Sequence, residues 1–223
     1  MPKKKSNAKR ALVPAFHIFC EGEKTEPYYI RGYIDEFHSD KKNILLVEDT
    51  KKNTPVQLVE AAIEHKKTTT KNDVYWVVFD RESIAKYPHS LHLEARDLAN
   101  RNNIEIGFSN VCFEFWLLLH MEYSTASYDS CSDLLAQSNL KSALKSRGID
   151  NYDKGFAYLF NTLKADDGVQ KAIKNAAKAN KSALDSAENG KVLPHFLNPY
   201  TDVRDLFIDM DNFINNKPSV RNK

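Results

Sequence analysis

Three carboxylates are placed where chemistry could happen. Glu21 directly follows an apolar run over residues 15–20, and Asp80 and Glu82 follow a longer one over residues 74–79. If both runs are parallel strands, their carboxyl ends open onto the crevice where sheets of this kind bind ligands. Carboxylates gathered there repel one another unless a cation bridges them. Hard oxygen donors suit Mg²⁺ or Mn²⁺, and such an ion can activate water and neutralise a phosphate oxygen. Acidic residues at strand ends also serve as turn formers and helix caps, so the spacing leaves both roles open.

Other residues bear on the same site. Glu114 lies within Cys112-Phe113-Glu114-Phe115-Trp116-Leu117. A buried carboxylate needs a partner, so Glu114 either reaches the acidic crevice or a cation such as Arg81, or points outward from one helical turn. His120 ends the same apolar stretch and either caps carbonyls or faces the site. His89 and His92 have a spacing that can ligate metal on a helix, but on a polar segment they read more simply as exposed. Glu21-Gly22-Glu23-Lys24-Thr25 is not a phosphate-binding P-loop: Glu23 precedes Lys24, and residues 15–20 contain no glycine. The three cysteines show no zinc-type spacing with one another or with histidine, and Cys20 and Cys112 read as small apolar core residues. Lys171, Lys174, Lys178 and Lys181 fall on one helical face, either a solvated stripe or one that tracks phosphates. No serine or cysteine has an evident catalytic His and Asp set.

The elements that must hold these residues alternate. Strands are predicted over residues 15–20, 44–47, 74–79 and 104–108. Helices follow from Thr25, with Thr25 as N-cap and Pro27 in the first turn, from Thr54-Pro55, and over residues 91–100. Ser109-Asn110 is predicted to cap a helix over residues 111–121. Alternation of this kind means a right-handed, parallel α/β sheet flanked by helices. Beyond Tyr123 the pattern is helical over residues 130–146, 153–163, 166–188 and 201–214, with no strand evident. The expected division is a basic arm over 1–12, an α/β core over 13–128, a helical part over 129–216 and a tail over 217–223.

Composition agrees with a folded chain. Among 223 residues, 42% are hydrophobic and 28% charged, which argues against wholesale disorder. The net charge is only +2, so any nucleic-acid contact must come from local patches or from the basic arm, MPKKKSNAKR, expected to be disordered. The apolar run that follows is too short to span a membrane. The cysteine usage fits a reducing, cytoplasmic setting.

Five segments carry a family resemblance. Phe19-Cys20-Glu21-Gly22-Glu23-Lys24-Thr25-Glu26-Pro27-Tyr28-Tyr29 resembles the opening motif of RloB-like proteins, and Val78-Phe79-Asp80-Arg81-Glu82 their second. The stretch from Ser109-Asn110 to His120 resembles the third. Tyr152-Asp153-Lys154 and Asn198-Pro199-Tyr200-Thr201-Asp202-Val203 resemble later signatures. The resemblance implies a fold related to the Toprim domains of topoisomerases, primases and OLD-type nucleases. There, a glutamate after the first strand and a later Asp-x-Asp bind Mg²⁺ for phosphodiester chemistry. Glu21 matches the first position, while Asp80 and Glu82 match the second as Asp-x-Glu. Carried over, the resemblance implies Glu21, Asp80 and Glu82 as ligands of Mg²⁺ or Mn²⁺, Glu114 completing or orienting them, and Lys154 stabilising charge on a scissile phosphate. It implies a nuclease acting on RNA (tRNA included) or DNA in antiphage defence or abortive infection, alongside a partner ATPase. Self-association is left open. So is the alternative of a non-catalytic subunit that docks onto such an ATPase.

Overall fold

A computed structural model of the chain describes residues 13–51 and 54–217. The expected basic arm over 1–12, and all but the first residue of the expected tail, lie outside the described residues.

Five strands form one sheet in the order β2-β1-β3-β4-β5. They are β1 (Phe16–Cys20), β2 (Leu45–Glu48), β3 (Val74–Asp80), β4 (Glu105–Asn110) and β5 (Tyr200–Thr201). The first four run parallel and β5 pairs antiparallel with β4. The α/β class read from the alternation is the fold observed. β3 sits at the centre and is buried from Tyr75 to Asp80, which is why its sequence is an unbroken apolar run: helices cover both faces.

The two faces are filled by alternate residues of the same strands. Phe16, Ile18, Trp76 and Val78 look into one core with helix α1 (Thr25–Phe37) and the short, fully buried α4 (Glu114–Leu118). Phe19, Tyr75, Val77 and Phe79 look into the other, against α2 (Pro55–Lys66) and α3 (His89–Arg101). Thr54 caps α2 by accepting from the Gln57 amide at 3.3 Å, and Pro55 occupies the first turn, as the residue types require.

Among the described residues, five further α-helices follow: α5 (Cys131–Gln137), α6 (Leu140–Lys145), α7 (Leu159–Leu163), α8 (Gly168–Asp185) and α9 (Val203–Ile214). They share the first core. Phe160 of α7 and Phe207 of α9 both pack edge-on against Tyr29 of α1, with ring centroids 5.2 and 5.6 Å away.

Several boundaries differ from the sequence reading. Lys24, not Thr25, occupies the N-cap of α1 and makes no capping bond. Ser109 and Asn110 do not cap a helix. They are the last residues of β4, held there because they pair with Thr201 and Tyr200 of β5, and Asn110 Nδ2 donates to the Leu197 carbonyl at 2.6 Å. A strand therefore exists beyond Tyr123, too short for any periodicity to reveal. The helix expected over 130–146 is broken by the extended backbone at Ser138. Of the one expected over 153–163 only α7 forms, after a turn in which Gly155 takes φ +107°.

Helices α1 and α7 come close at Gly32, where an added Cβ would lie 2.6 Å from the Phe160 Cβ. Helix propensity alone favours alanine over glycine by about 1 kcal/mol. Here the steric cost of overpacking, roughly 1–3 kcal/mol, should win. Gly32→Ala is therefore expected to lower the urea midpoint of unfolding, not raise it.

Candidate active site

The parallel register of β1 and β3 builds the site. The Glu21 amide donates to the Val78 carbonyl at 2.9 Å, extending the ladder one residue beyond β1. The Glu21 carboxylate then accepts the Asp80 amide at 3.3 Å and the Tyr87 hydroxyl at 2.6 Å. Asp80 ends β3, opposite Ser109 of β4, and is buried. Glu82 follows in a left-handed conformation, φ +54°, with its amide on the Val111 carbonyl and its carboxylate 3.0 Å from Lys86 Nζ. A non-glycine residue at positive φ is sparsely populated and concentrates at functional sites.

These residues line a cavity of about 560 Å³ together with Glu26, Glu114, Lys24, Lys86 and Lys154. Its lining holds six acidic side chains against three lysines, so the pocket is acidic by two to one. Every site residue expected from the sequence lies on it. Glu21, Asp80 and Glu82 do not, however, present three oxygens within 4.8 Å of one another. Holding one ion between all three requires side-chain rotation.

Glu114 is 1% exposed, and its surroundings account for a carboxylate in so apolar a helix. Oε1 accepts the Tyr152 hydroxyl at 3.1 Å and lies 3.6 Å from Lys154 Nζ, while Oε2 faces Cys131 Sγ at 3.1 Å. Its cation is thus Lys154 and not Arg81. Arg81 instead donates to the carbonyls of His195 at 3.1 Å and Tyr87 at 2.6 Å, fixing the loop behind the pocket.

Glu26, in the first turn of α1, is the site residue the sequence reading missed. It looked like an ordinary first-turn acid, favoured there by the helix dipole. The signal lay in Gly22: a Cβ at that position would collide with the Glu26 carboxylate, so the glycine and the acid fit as a unit. Gly155 is similarly constrained, since its Cβ would lie 2.6 Å from Lys24 Cδ.

Crowding buried carboxylates raises their pKa values. Burial, then Glu26, Glu114 and Glu21, push Asp80 well above the ordinary aspartate value, with Lys154 opposing. Burial raises Glu21 despite its bonds from Tyr87 and Asp80. Glu26 is raised to about 7, first by burial and then by Glu114 and Glu21, against its own backbone bond and Lys154. Burial pulls Lys154 down, but Glu114 and Asp80 outweigh it and hold the ammonium charged.

Other candidates fall outside the pocket. His120 is buried, with Nδ1 2.9 Å from the Trp116 carbonyl and Nε2 2.5 Å from the Tyr29 hydroxyl, and burial lowers its pKa to about 4. His92, expected to be exposed, is buried beside Phe79 and bonds the Arg81 carbonyl, because α3 turns that face onto the sheet. His89 is half-buried against Phe196. Lys171, Lys174, Lys178 and Lys181 lie exposed along α8, and Lys181 pairs with Asp185. Cys112 and Cys131, far apart in sequence, come together with Glu114, all within 4.8 Å. Among the described residues no helix is long and apolar enough to cross a membrane.

The family model described as RloB-like protein matches residues 16–210, most of the chain. No curated protein and no solved structure matches it.

The Glu26 environment makes stability depend on pH. Its native pKa of about 7 exceeds the ordinary 4.5, so the native state binds the extra proton between those values. Stability must then fall as pH rises through that window and stay low above it. Glu26→Gln should raise stability at pH 8 by on the order of 2–3 kcal/mol. It should leave pH 4 nearly unchanged, as measured by urea unfolding at both pH values.

Proposed function

We propose that this chain, which belongs to the RloB-like family, is a divalent-metal-dependent nuclease, an effector of antiphage defence that cleaves phosphodiester bonds in RNA or DNA. The observation that carries this reading is the acidic pocket at the carboxyl ends of β1 and β3, with Lys154 set against its carboxylates. The donor set fits a hard cation. Its atoms are carboxylate oxygens, and the raised pKa values of Asp80, Glu21 and Glu26 mark negative charge for which a cation would compensate. Glu21, Asp80 and Glu82 would hold Mg²⁺ or Mn²⁺, and Glu26 offers a further oxygen. When bound, the ion supplies Lewis acidity toward a phosphate oxygen and a more acidic water.

The protein's own groups have separable roles. Lys154 is the charged donor positioned to meet developing negative charge on a phosphate. Glu114 is a positioning residue: it orients Lys154 while Tyr152 and Cys131 occupy its oxygens. The loop over residues 21–25 has Glu23, not glycine, before Lys24 and no glycine in the strand ahead of it, so it does not wrap a nucleoside triphosphate, which suits a division of labour with a separate ATPase. The alternative, a non-catalytic docking subunit, would need apolar residues exposed on α9. Its Val203, Leu206, Phe207 and Met210 are buried, while Ile208, Phe213 and Ile214 are half-buried.

The test is incubation of the purified protein with DNA, total RNA and tRNA, in Mg²⁺, Mn²⁺ or EDTA, with and without the partner ATPase. Cleavage is expected with metal and not with EDTA. Asp80→Asn should abolish it, and Lys154→Ala should slow it by roughly 10²–10³-fold. No cleavage on any substrate with the ATPase present would move preference to the docking subunit, and cleavage that survives Asp80→Asn would take the chemistry away from this pocket. Mg²⁺ should also raise the melting temperature of the wild type by mass action, with a smaller rise in Asp80→Asn.

A further inference from the structure

A second cluster of possible ligands lies on the opposite face of the sheet. His17 of β1, Glu48 at the end of β2 and His65 in the last turn of α2 each offer one ligand atom, all within 4.8 Å of one another. His17 Nδ1 is 2.7 Å and His65 Nε2 3.7 Å from the same Glu48 oxygen, Oε1. We propose that these three residues bind a transition-metal cation of the Zn²⁺ class, which ties the β1–β2 edge to the end of α2.

The surroundings of His17 resemble those of a ligand held in place. Its other nitrogen, Nε2, faces Asp73 Oδ2 at 3.4 Å. Asp73 is itself fixed by the Ala15 amide at 3.0 Å and the Thr70 amide at 3.0 Å. A carboxylate behind a histidine orients the ring: with a cation bound, the Nε2 proton would face Asp73 and the Nδ1 lone pair would point at the cluster. Tyr75 stacks on the ring at 5.0 Å with an interplanar angle of 10°, leaving it little freedom to swing away. An Nδ1 lone pair 2.7 Å from a carboxylate oxygen cannot stay as it is. Either a proton or a cation must lie between the two, and a cation satisfies His65 as well.

The donor set distinguishes this cluster from the acidic pocket. Two imidazole nitrogens and one carboxylate oxygen suit Zn²⁺ far better than Mg²⁺ and leave a fourth position for water. The inner side of the cluster is dry, with the His17 and Asp73 side chains 5% and 3% exposed. The outer side is open, with Glu48 and His65 at 24% and 33%, so an ion can enter without unfolding the sheet. The site does not depend on the nuclease reading.

The experiment uses the full chain carrying Asp80→Asn, so that the acidic pocket is disabled. After dialysis against Zn²⁺ and then against metal-free buffer, bound metal is counted by mass spectrometry, and melting temperatures are taken with Zn²⁺, with Mg²⁺ and without metal. One Zn²⁺ per chain is expected, with a melting temperature raised by Zn²⁺ and not by Mg²⁺. Adding Glu48→Gln or His65→Gln should weaken Zn²⁺ by about 100-fold or more, beyond the 10–100-fold typical of losing an outer partner. His65 ends its helix partly exposed, so that variant should fold, and its metal-free melting curve checks this. A chain that retains no Zn²⁺ would overturn the proposal and leave His17 and Glu48 a hydrogen-bonded pair. Zn²⁺ retained undiminished in His65→Gln would also overturn it, pointing to Cys112, Glu114 and Cys131 as the ligands.

Discussion

Repulsion among buried carboxylates is the constraint around which this structure is arranged. Asp80, Glu26 and Glu114 are each less than a tenth exposed, and burial, then the charge of the neighbouring carboxylates, makes Asp80 and Glu26 reluctant to ionise. Nothing in the hydrophobic core favours such a gathering. It is held by specific bonds: the Asp80 amide and Tyr87 hydroxyl on Glu21, the Tyr152 hydroxyl on Glu114, and Lys154 against both Glu114 and Asp80. Perturbed carboxylates of this kind cluster at functional sites.

The rest of the fold serves that arrangement. The sheet fixes Glu21 and Asp80 at adjacent strand ends, α1 carries Glu26 in its first turn, and α4 delivers Glu114 from within the core. The helical part does more than cover the sheet. The turn after α6 supplies Tyr152 and Lys154, and β5 prolongs the sheet beside β4. The pocket therefore joins Glu21 and Lys154, which lie more than 100 residues apart in the sequence.

Much of this was legible in the residues, for physical reasons. Strands covered on both faces must be apolar throughout, and carboxylates that end such strands must emerge at one edge, so Glu21 and Asp80 could be placed from pattern alone. Glu114 was conspicuous because a charge in an apolar helix needs a partner. What could not be read was non-local. Glu26 looked like any first-turn acid, because only its approach to Gly22 marks it. The two-residue β5 has no period to detect. His92 was misread because its polar neighbours point to solvent while it does not. The meeting of Cys112 with Cys131, like that of His17 with Glu48 and His65, depends on tertiary packing that no spacing rule encodes.

The late arrival of Tyr152 and Lys154 has a consequence for synthesis on the ribosome. A nascent chain of about 150 residues already carries Glu21, Glu26, Asp80 and Glu114, but neither the tyrosine nor the lysine that faces them. It also lacks Phe160 and Phe207, which close the core over Tyr29. Domains fold as units once their contacts exist, so the acidic pocket stays unformed until α7 and α9 are available. Truncated products therefore hold the carboxylates without the tyrosine and lysine that face them.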